Sequence, residues 1–264
     1  MEEWSASFDM LKNGAILIYI LKGTLFTIII STIAVLIGIV FGSVLALVRN
    51  YCHSPQYRIF RYAAIAYIEI FRNTPLLLWI FICVVFCPVP EIFAHRMFGL
   101  TTVETTLLFK ATIALILFTS SVIAEIVRGG LNSVPAGQFE AAASQGFNIV
   151  QTMVYIVLPQ AYRNVVPTLL SQVITTIKDS SYLANVATIE LMSRVRQILS
   201  TANLYNGTGN INVSDVFVLY GCAAAIYFII NFALSLVVRH MQARRKAAAS
   251  AYRTAAKAVG DAKA

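Results

Sequence analysis

The sequence predicts an all-α membrane protein with about five transmembrane helices. Hydrophobic residues make up 58% of the 264 residues and charged residues only 12%, a composition that soluble globular domains do not have. The apolar residues are gathered into long segments, and the basic residues stand at the ends of those segments. At roughly 20 apolar residues per span, the chain has room for five or six spans. We expect one membrane domain over residues 1–264, with an embedded core at about 20–240 and a basic tail at 241–264.

The apolar segments give the order of the predicted spans. They cover residues 23–48, 59–87, 107–127, 165–186 and 216–238.

Two stretches outside these segments carry separate expectations. Residues 5–19 mix polar and apolar side chains, which is typical of a helix lying along the membrane interface, although a short sixth span is an alternative. Residues 193–214 are polar and predict an external loop. That loop is either a plain connection or a surface for a binding partner.

The basic residues predict the orientation of the chain. With five spans, the basic residues between spans one and two, around the third connection and in the tail share one side, which the positive-inside rule makes cytoplasmic. The N-terminus is then outside and the C-terminus is cytoplasmic. The net charge of +8 arises from this distribution. It therefore indicates membrane topology and contact of the tail with anionic lipid, and it argues against nucleic acid as a partner.

Catalytic and metal chemistry find little support in the sequence. Cys83 and Cys87 share a helical face, but no third ligand of the right kind is near, and free cysteine behaves as a small apolar residue. No Ser/His constellation and no phosphate-binding G-x-x-x-x-G-K-[ST] loop appears. We expect no catalytic residue, no metal site and no cofactor.

A polar segment between spans three and four predicts a docking element. Gly146 can end a first short helix because glycine adopts the left-handed conformation without a Cβ penalty. Asn148 can cap a second helix, with Gln151 three residues later closing a capping box. An ordinary amphipathic hairpin is the alternative. The residues expected to couple the chain to a partner are Glu140, Ala141, Ala142, Gly146, Ile156, Leu158 and Pro159.

This spacing, E-A-A-x3-G-x9-I-x-L-P, resembles the cytoplasmic coupling loop of the permeases of binding-protein-dependent ABC importers. The flanking residues 124–130 and 133–138 are similar to the polar amino acid importer branch. The resemblance implies a type I ABC importer permease fold in a bacterial inner membrane. It also implies an ABC ATPase subunit dimer, a second permease subunit, an extracytoplasmic solute-binding protein and an amino acid substrate.

Span two contains charges and a break that predict part of a substrate path. Glu69 lies about ten residues beyond residue 59, hence roughly 15 Å deep in a straight helix. Arg72 is three residues away on the same face and can pair with it. Pro75 breaks the helix, and the freed carbonyls need a partner such as Thr74. This element, including Asn73, resembles the Phe-Arg-x-Thr-Pro-Leu element of the same family. A structural ion pair is the alternative.

Span four contains a second charged element at Lys178, Asp179, Ser180 and Ser181, which resembles the Lys-Asp-Thr-Ser-Leu element of the family. Asp179 could receive the α-ammonium of an amino acid, and the serine hydroxyls could bond its carboxylate. Alternatively, Lys178 snorkels or pairs with Glu69.

Two other function classes are alternatives to an ATP-driven importer. An ion-gradient-driven secondary transporter of small polar solutes is expected to show broken helices at corresponding positions of two repeats. Here Pro75 marks one break, and Pro167 has no matching role. A membrane scaffold is disfavoured by the intramembrane charges. The sequence leaves open which amino acid is carried, whether the permease pair is identical or mixed, and whether this subunit holds a substrate pocket.

Overall fold

The computed structural model describes residues 2–97, 99–206 and 209–261, and these residues form helices without strands. Long helices cross the bundle, and short helices lie at its ends. The α-helices are α1 Glu2–Met10, α2 Gly14–Tyr51, α3 Arg58–Arg72, α4 Leu76–Phe86, α5 Thr102–Asn132, α6 Ala136–Ser144, α7 Ile149–Gln151, α8 Leu158–Asp179, α9 Leu191–Ser200 and α10 Val213–Asp261.

The all-α membrane fold is confirmed, but the apolar spans differ from one another. Within the described residues, three helices are long and apolar enough to cross a membrane: α2, α5 and the part of α10 up to Arg244. The bent pair of α3 and α4 becomes a fourth if it counts as one span. Helix α8 has 22 residues, but its composition is too polar to pass the same test.

The second predicted span is broken, as expected, and the bend is sharp. Its two halves, α3 and α4, meet at an angle of 111°. The break falls at Asn73–Pro75, as the proline predicts, because Pro75 has no N–H to continue the helix.

Contacts between helices define two ends of the bundle, which we call the α6 end and the α9 end. At the α6 end, α2 meets α5 where Asn50 Nδ2 donates to Asn132 Oδ1 at 3.0 Å, next to α6 and the start of α8. At the α9 end, α9 meets α5 where Arg194 Nη2 lies 3.4 Å from Glu104 Oε1. In the described residues the chain travels between these ends five times, through α2, the α3–α4 pair, α5, α8 and α10.

Close packing of α2 on α5 forms the centre of the bundle. A Cβ added to Gly42 would lie 2.6 Å from the carbonyl oxygen of Ser120 and 2.9 Å from the amide nitrogen of Ala124. Glycine is therefore required where the two backbones approach, as in other closely packed membrane helices.

The N-terminal and loop expectations need correction. Residues 5–19 do not form one interfacial helix, because α1 ends at Met10 and Asn13 caps α2. The first span therefore begins at Gly14. The expected external loop at 193–214 contains most of α9, whose Val195 and Ile198 are buried against Ile20 and Leu219. Gly207 and Thr208 of that loop lie outside the described residues.

The predicted basic tail is helical as far as α10 extends, to Asp261. Its alanine-rich composition favours a helix. Residues 262–264 lie outside the described part.

Candidate functional site

The turn between α6 and α7 has the local structure that the sequence predicts. Gly146 adopts φ +77°, and the N–H of Phe147 reaches back to the carbonyl of Ala142 at 3.1 Å. Asn148 Oδ1 accepts the N–H of Gln151, and Gln151 Oε1 accepts the N–H of Asn148, both at 2.9 Å. Both the glycine stop and the capping box are confirmed. They give the connection between the two short helices a defined shape.

A π-helical segment, Thr152–Val157, joins α7 to α8. Pro159 has no N–H, so the carbonyl of Tyr155 lacks the partner that it would have in an α-helix. The N–H of Leu158 bonds to the carbonyl of Met153, five residues earlier, which is the π-helical pattern. Such π-segments are frequent at functional sites. The irregular segment turns the second half of the motif towards the first.

The two halves of the motif meet in a groove of about 400 Å³. Ala141 and Ala142 of α6 line one side, and Ile156 and Pro159 line the other. Gln160 Nε2 bonds Gln138 Oε1 at 3.1 Å across the groove. Four of the seven residues predicted for partner contact are thus brought together by the fold.

The remaining three lie around this groove. Glu140 is exposed on α6, Gly146 is exposed at the turn, and Leu158 is half-buried against the core. Beside the groove, Ile149, Val150 and Tyr155 are each about two-thirds exposed (66%, 65% and 69%). Together they form an exposed apolar cluster on an otherwise polar connection. These three residues were not among the predicted contact residues, because their exposure depends on the packing of the whole connection.

The charges of α3 belong to a cluster at the α6 end. Glu69 Oε1 lies 3.2 Å from Arg49 Nη1, while Arg72 Nη1 lies 3.7 Å from Glu125 Oε2. The expected Glu69–Arg72 pair is therefore not found among the described ion pairs. The expected midplane depth is also wrong, because Arg49 stands two residues before α2 ends. The 111° bend places α3 near this end.

Glu125 is the centre of this ionic cluster. Its carboxylate accepts Arg49 Nη1 at 3.1 Å and Arg128 Nε at 2.9 Å, and it also faces Arg72. The cluster joins α2, α3 and α5. Sequence analysis quoted Glu125 and Arg128 within the flanking motif and counted Arg49 as a topology signal, but it assigned none of them a site role.

Side chains at the bend donate hydrogen bonds to carbonyls in the last turn of α3. Thr74 Oγ1 donates to the carbonyl of Ile70 at 2.6 Å, as the sequence predicts, and Asn73 Nδ2 donates to that of Glu69 at 2.8 Å. Trp79 Nε1 donates to Thr74 Oγ1 at 2.7 Å. These contacts hold the bend between α3 and α4.

The second predicted charged element lies at the far end of α8. Lys178 is exposed, and Asp179 and Ser181 are half-buried. Ser180 is fully buried and donates its hydroxyl to the carbonyl of Ile177 at 2.8 Å, so its proton is directed inward. Helix α8 rises about 1.5 Å per residue, which puts this element roughly 32 Å from the α6 end. The two predicted groups of path residues are therefore not brought together within this chain.

A continuous polar face connects the two ends along α8 and the 3₁₀ segment Ser180–Val186. Between residues 164 and 186 every exposed residue is polar except the amphipathic Tyr182, and the intervals alternate between four and three residues. This spacing places them on one helix face. We call this face the α8 stripe; it consists of Asn164, Thr168, Ser171, Thr175, Lys178, Tyr182 and Asn185.

The α8 stripe explains why α8 fails an apolar-span test. A polar face across a membrane helix does not face lipid, because its polar groups would be desolvated without partners. It must meet water, a substrate or another polar protein surface. Of the stripe, only Lys178 was predicted as a path residue; the four- and three-residue spacing in the sequence was the signal that could have found the others.

Comparison with known families matches residues 38–247 of this chain to the family described as binding-protein-dependent transport system inner membrane component. This range contains the groove, the ionic cluster and the α8 stripe.

Individual relatives cover nearly the whole chain. The "Probable glutamine ABC transporter permease protein GlnP" of Bacillus subtilis (strain 168) is 33% identical over 229 residues, 87% of this chain and 94% of the relative. The "Glutamate/aspartate import permease protein GltK" of Escherichia coli O6:H1 is 32% identical over 244 residues, 90% of this chain and 98% of the relative.

Solved structures of ABC transporters are also similar to this chain. The "Crystal structure of an amino acid ABC transporter with histidines" contains a chain that is 26% identical and has a TM-score of 0.69, covering 90% of this chain and 97% of that one. The MetNI methionine ABC transporter is similar in fold, with a TM-score of 0.63 at 18% identity.

Proposed function

This chain belongs to the family of binding-protein-dependent transport system inner membrane components, as an amino acid ABC transporter permease, and on that premise we propose how its two surfaces work. The groove at the α6 end docks onto a separate ABC ATPase subunit dimer. The α8 stripe lines a path for the amino acid between this chain and a second permease subunit, identical or homologous.

The observation that carries this proposal is the convergence of the motif in one groove. Ala141 and Ala142 meet Ile156 and Pro159 there, beside the exposed apolar side chains of α7 and the π-segment. The short helices α6 and α7, which carry this motif, would lie in a groove of the ATPase, because an amphipathic helix laid into a groove is a common mode of protein recognition. A fixed turn at Gly146 would let the ATPase push on α8 directly, because α8 follows the π-segment without interruption.

The charge distribution supports an orientation with the α6 end in the cytoplasm. That end carries Arg49, Arg58, Arg61, Arg72, Arg128 and Arg163, together with Arg239 and Arg244 near the end of the α10 span, whereas the α9 end carries Lys12, Lys22, Arg96, Lys110, Arg194 and Arg196. The positive-inside rule then places the N-terminus outside, the C-terminus in the cytoplasm and the α9 end towards an extracytoplasmic solute-binding protein.

The names of the relatives support an amino acid with an amide or acidic side chain as the substrate, since they specify glutamine and glutamate/aspartate. The matches also favour an ATP-driven importer over an ion-gradient-driven secondary transporter. The carried amino acid is bound along the stripe, where Lys178 lies, with Asp179 beside it to receive the ammonium group.

Reconstitution tests the coupling. Proteoliposomes containing this chain, its ATPase, its partner permease and the solute-binding protein should accumulate radiolabelled L-glutamine or L-glutamate only with ATP. Gly146→Asp should strongly reduce uptake, because it adds a charged side chain at the docking turn, where φ +77° also favours glycine.

Gly137→Asp is the matched control, since Gly137 is an exposed glycine of α6 with open space around it. It adds the same charge without a left-handed φ and should retain uptake. Accumulation that continues without any ATPase and collapses with the proton gradient would support the secondary transporter instead.

Asp179→Asn tests the path separately. It should weaken uptake while leaving the ATPase bound, because Asp179 lies roughly 32 Å from the groove. Unchanged uptake in this variant would remove Asp179 from the path.

A further inference from the structure

The α8 stripe ends at the α9 end beside a second cation that the sequence did not single out. Arg196 of α9 is exposed, and its Nη1 donates to Asn185 Oδ1, the last residue of the stripe, at 3.3 Å. Asn185 Nδ2 in turn donates to the carbonyl of Tyr182 at 2.8 Å. Arg196 therefore extends the stripe from α8 onto α9.

The 3₁₀ segment aligns the groups at this end. A 3₁₀ helix has three residues per turn, so side chains three apart lie above one another. Tyr182 and Asn185 are spaced in this way, and Asp179 precedes Tyr182 by the same interval. The stripe at this end thus runs from Lys178, with the half-buried Asp179 next to it, past the phenol of Tyr182 to Asn185 and the guanidinium of Arg196.

The guanidinium of Arg196 has free donor capacity. Within the described residues, Arg196 forms one hydrogen bond, the amide contact from Nη1, and no ion pair within 4 Å, while the carboxylate of Glu190 attracts it from a longer distance. An arginine side chain presents a planar fork that matches a carboxylate with two parallel hydrogen bonds. An uncommitted fork beside a polar membrane face suits a carboxylate ligand.

We propose that Arg196 binds the carboxylate of the transported amino acid where it enters the α8 stripe, with Lys178 as the next cation along the path. The proposal rests on the proposed function, since it takes the stripe as the path. It adds a specificity-determining residue on α9 that receives the substrate from the solute-binding protein side.

Direct binding tests this assignment without the solute-binding protein. The detergent-purified complex of the permease pair with its ATPase is titrated with tritiated L-glutamine and L-glutamate by scintillation proximity. Arg196→Gln should raise the Kd at least about tenfold, because a charge-assisted hydrogen bond is lost. Arg196→Lys should restore part of the affinity, since the charge remains but the fork does not.

Arg96→Gln is the matched control. Arg96 is an exposed arginine in the connection between α4 and α5, near the same end of the bundle but outside the stripe. It removes the same charge and should leave the Kd unchanged. Equal effects of the two variants would mean that only net charge matters, and that result would overturn the proposal.

Further outcomes separate this proposal from the proposed function. ATP-driven uptake by wild-type protein combined with a wild-type Kd for Arg196→Gln would refute the role of Arg196 and leave the importer intact. Uptake by wild-type protein without measurable direct binding would do the same. If wild-type protein transports no amino acid with ATP, both proposals fall. Copurification of the ATPase with each variant verifies that the assembly is intact.

Discussion

Helices α2 and α8 both cross the bundle, yet their outward faces have opposite chemistry. Between Leu25 and Val44 the exposed residues of α2 are apolar except Thr32. Between residues 164 and 186 the exposed residues of α8 and its 3₁₀ extension are polar except the amphipathic Tyr182. The outward face of α2 suits lipid, whereas that of α8 requires a polar environment.

This difference shows what a hydropathy average reports. The mean hydropathy of a helix reflects the medium around it, so a membrane-spanning helix that lines a polar path has a low mean hydropathy. The two helices are nevertheless packed into one bundle, α2 through glycines against α5 and α8 through Val165 and Leu169 in the same core. A path-lining helix is thus identified by its polar stripe together with its buried opposite face.

The largest expected effect comes from placing the same charge on each face. Leu36, 60% exposed near the middle of α2, is changed to arginine, and Thr175 on the α8 stripe is changed likewise. Leu36→Arg should cost about 3 kcal/mol of insertion free energy and sharply reduce the yield of membrane-inserted protein. Thr175→Arg should be inserted at nearly the wild-type level.

The measurement is the fraction of protein recovered in the membrane after carbonate extraction. Equal losses for the two variants would show that both faces contact lipid, and the contrast between α2 and α8 would not hold.

The inward face of α2 gives the next effect. Gly42→Val should lower the free energy of unfolding by roughly 1–3 kcal/mol, because its Cβ would collide with the backbone of α5 at Ser120 and Ala124. The midpoint of thermal unfolding in detergent reports the change. Gly221→Val in α10 is the control, since nothing lies within 4 Å of a Cβ there. A similar loss in both variants would point to glycine content rather than to close helix packing.

A smaller effect is expected at the ionic cluster. Glu125→Gln removes the carboxylate that faces three guanidinium groups, and its half-buried position gives a cost between those of surface and buried pairs, about 2 kcal/mol. Thermal unfolding of the detergent-purified complex measures it. The exposed Glu91, changed in the same way, should alter the unfolding free energy by less than about 0.5 kcal/mol. A null effect for Glu125→Gln would mean that the cluster does not hold the α3–α4 bend against α2 and α5.

Local signals in the sequence predicted the α6 end well. Gly146 and the pair Asn148 and Gln151 specify their own backbone, because a left-handed turn and a capping box depend on neighbouring residues alone. The break at Pro75 was predictable for the same reason. These features require no knowledge of the partner helices.

Features that depend on distant contacts were not predicted. The pairing of Glu69 with Arg49 depends on the angle between α3 and α4, which no local pattern encodes. The buried Glu190 was also missed: it caps α9 by accepting the N–H groups of Met192 and Ser193 at 2.8 and 2.6 Å, and Tyr227 donates to it from α10. The burial of Glu190 depends on the packing of α9 against α2 and α10, which no local pattern in the sequence encodes.

Thiol accessibility tests the central claim most directly. In a protein whose four native cysteines are replaced, single cysteines at Thr168, Ser171 and Thr175 are compared with single cysteines at Leu36 and Val40 in the assembled transporter. A membrane-impermeant methanethiosulfonate reagent should label the stripe positions at rates that change with ATP, and it should leave the α2 positions unlabelled. Labelling of α2 together with protection of the stripe in every nucleotide state would contradict a water-accessible path along α8.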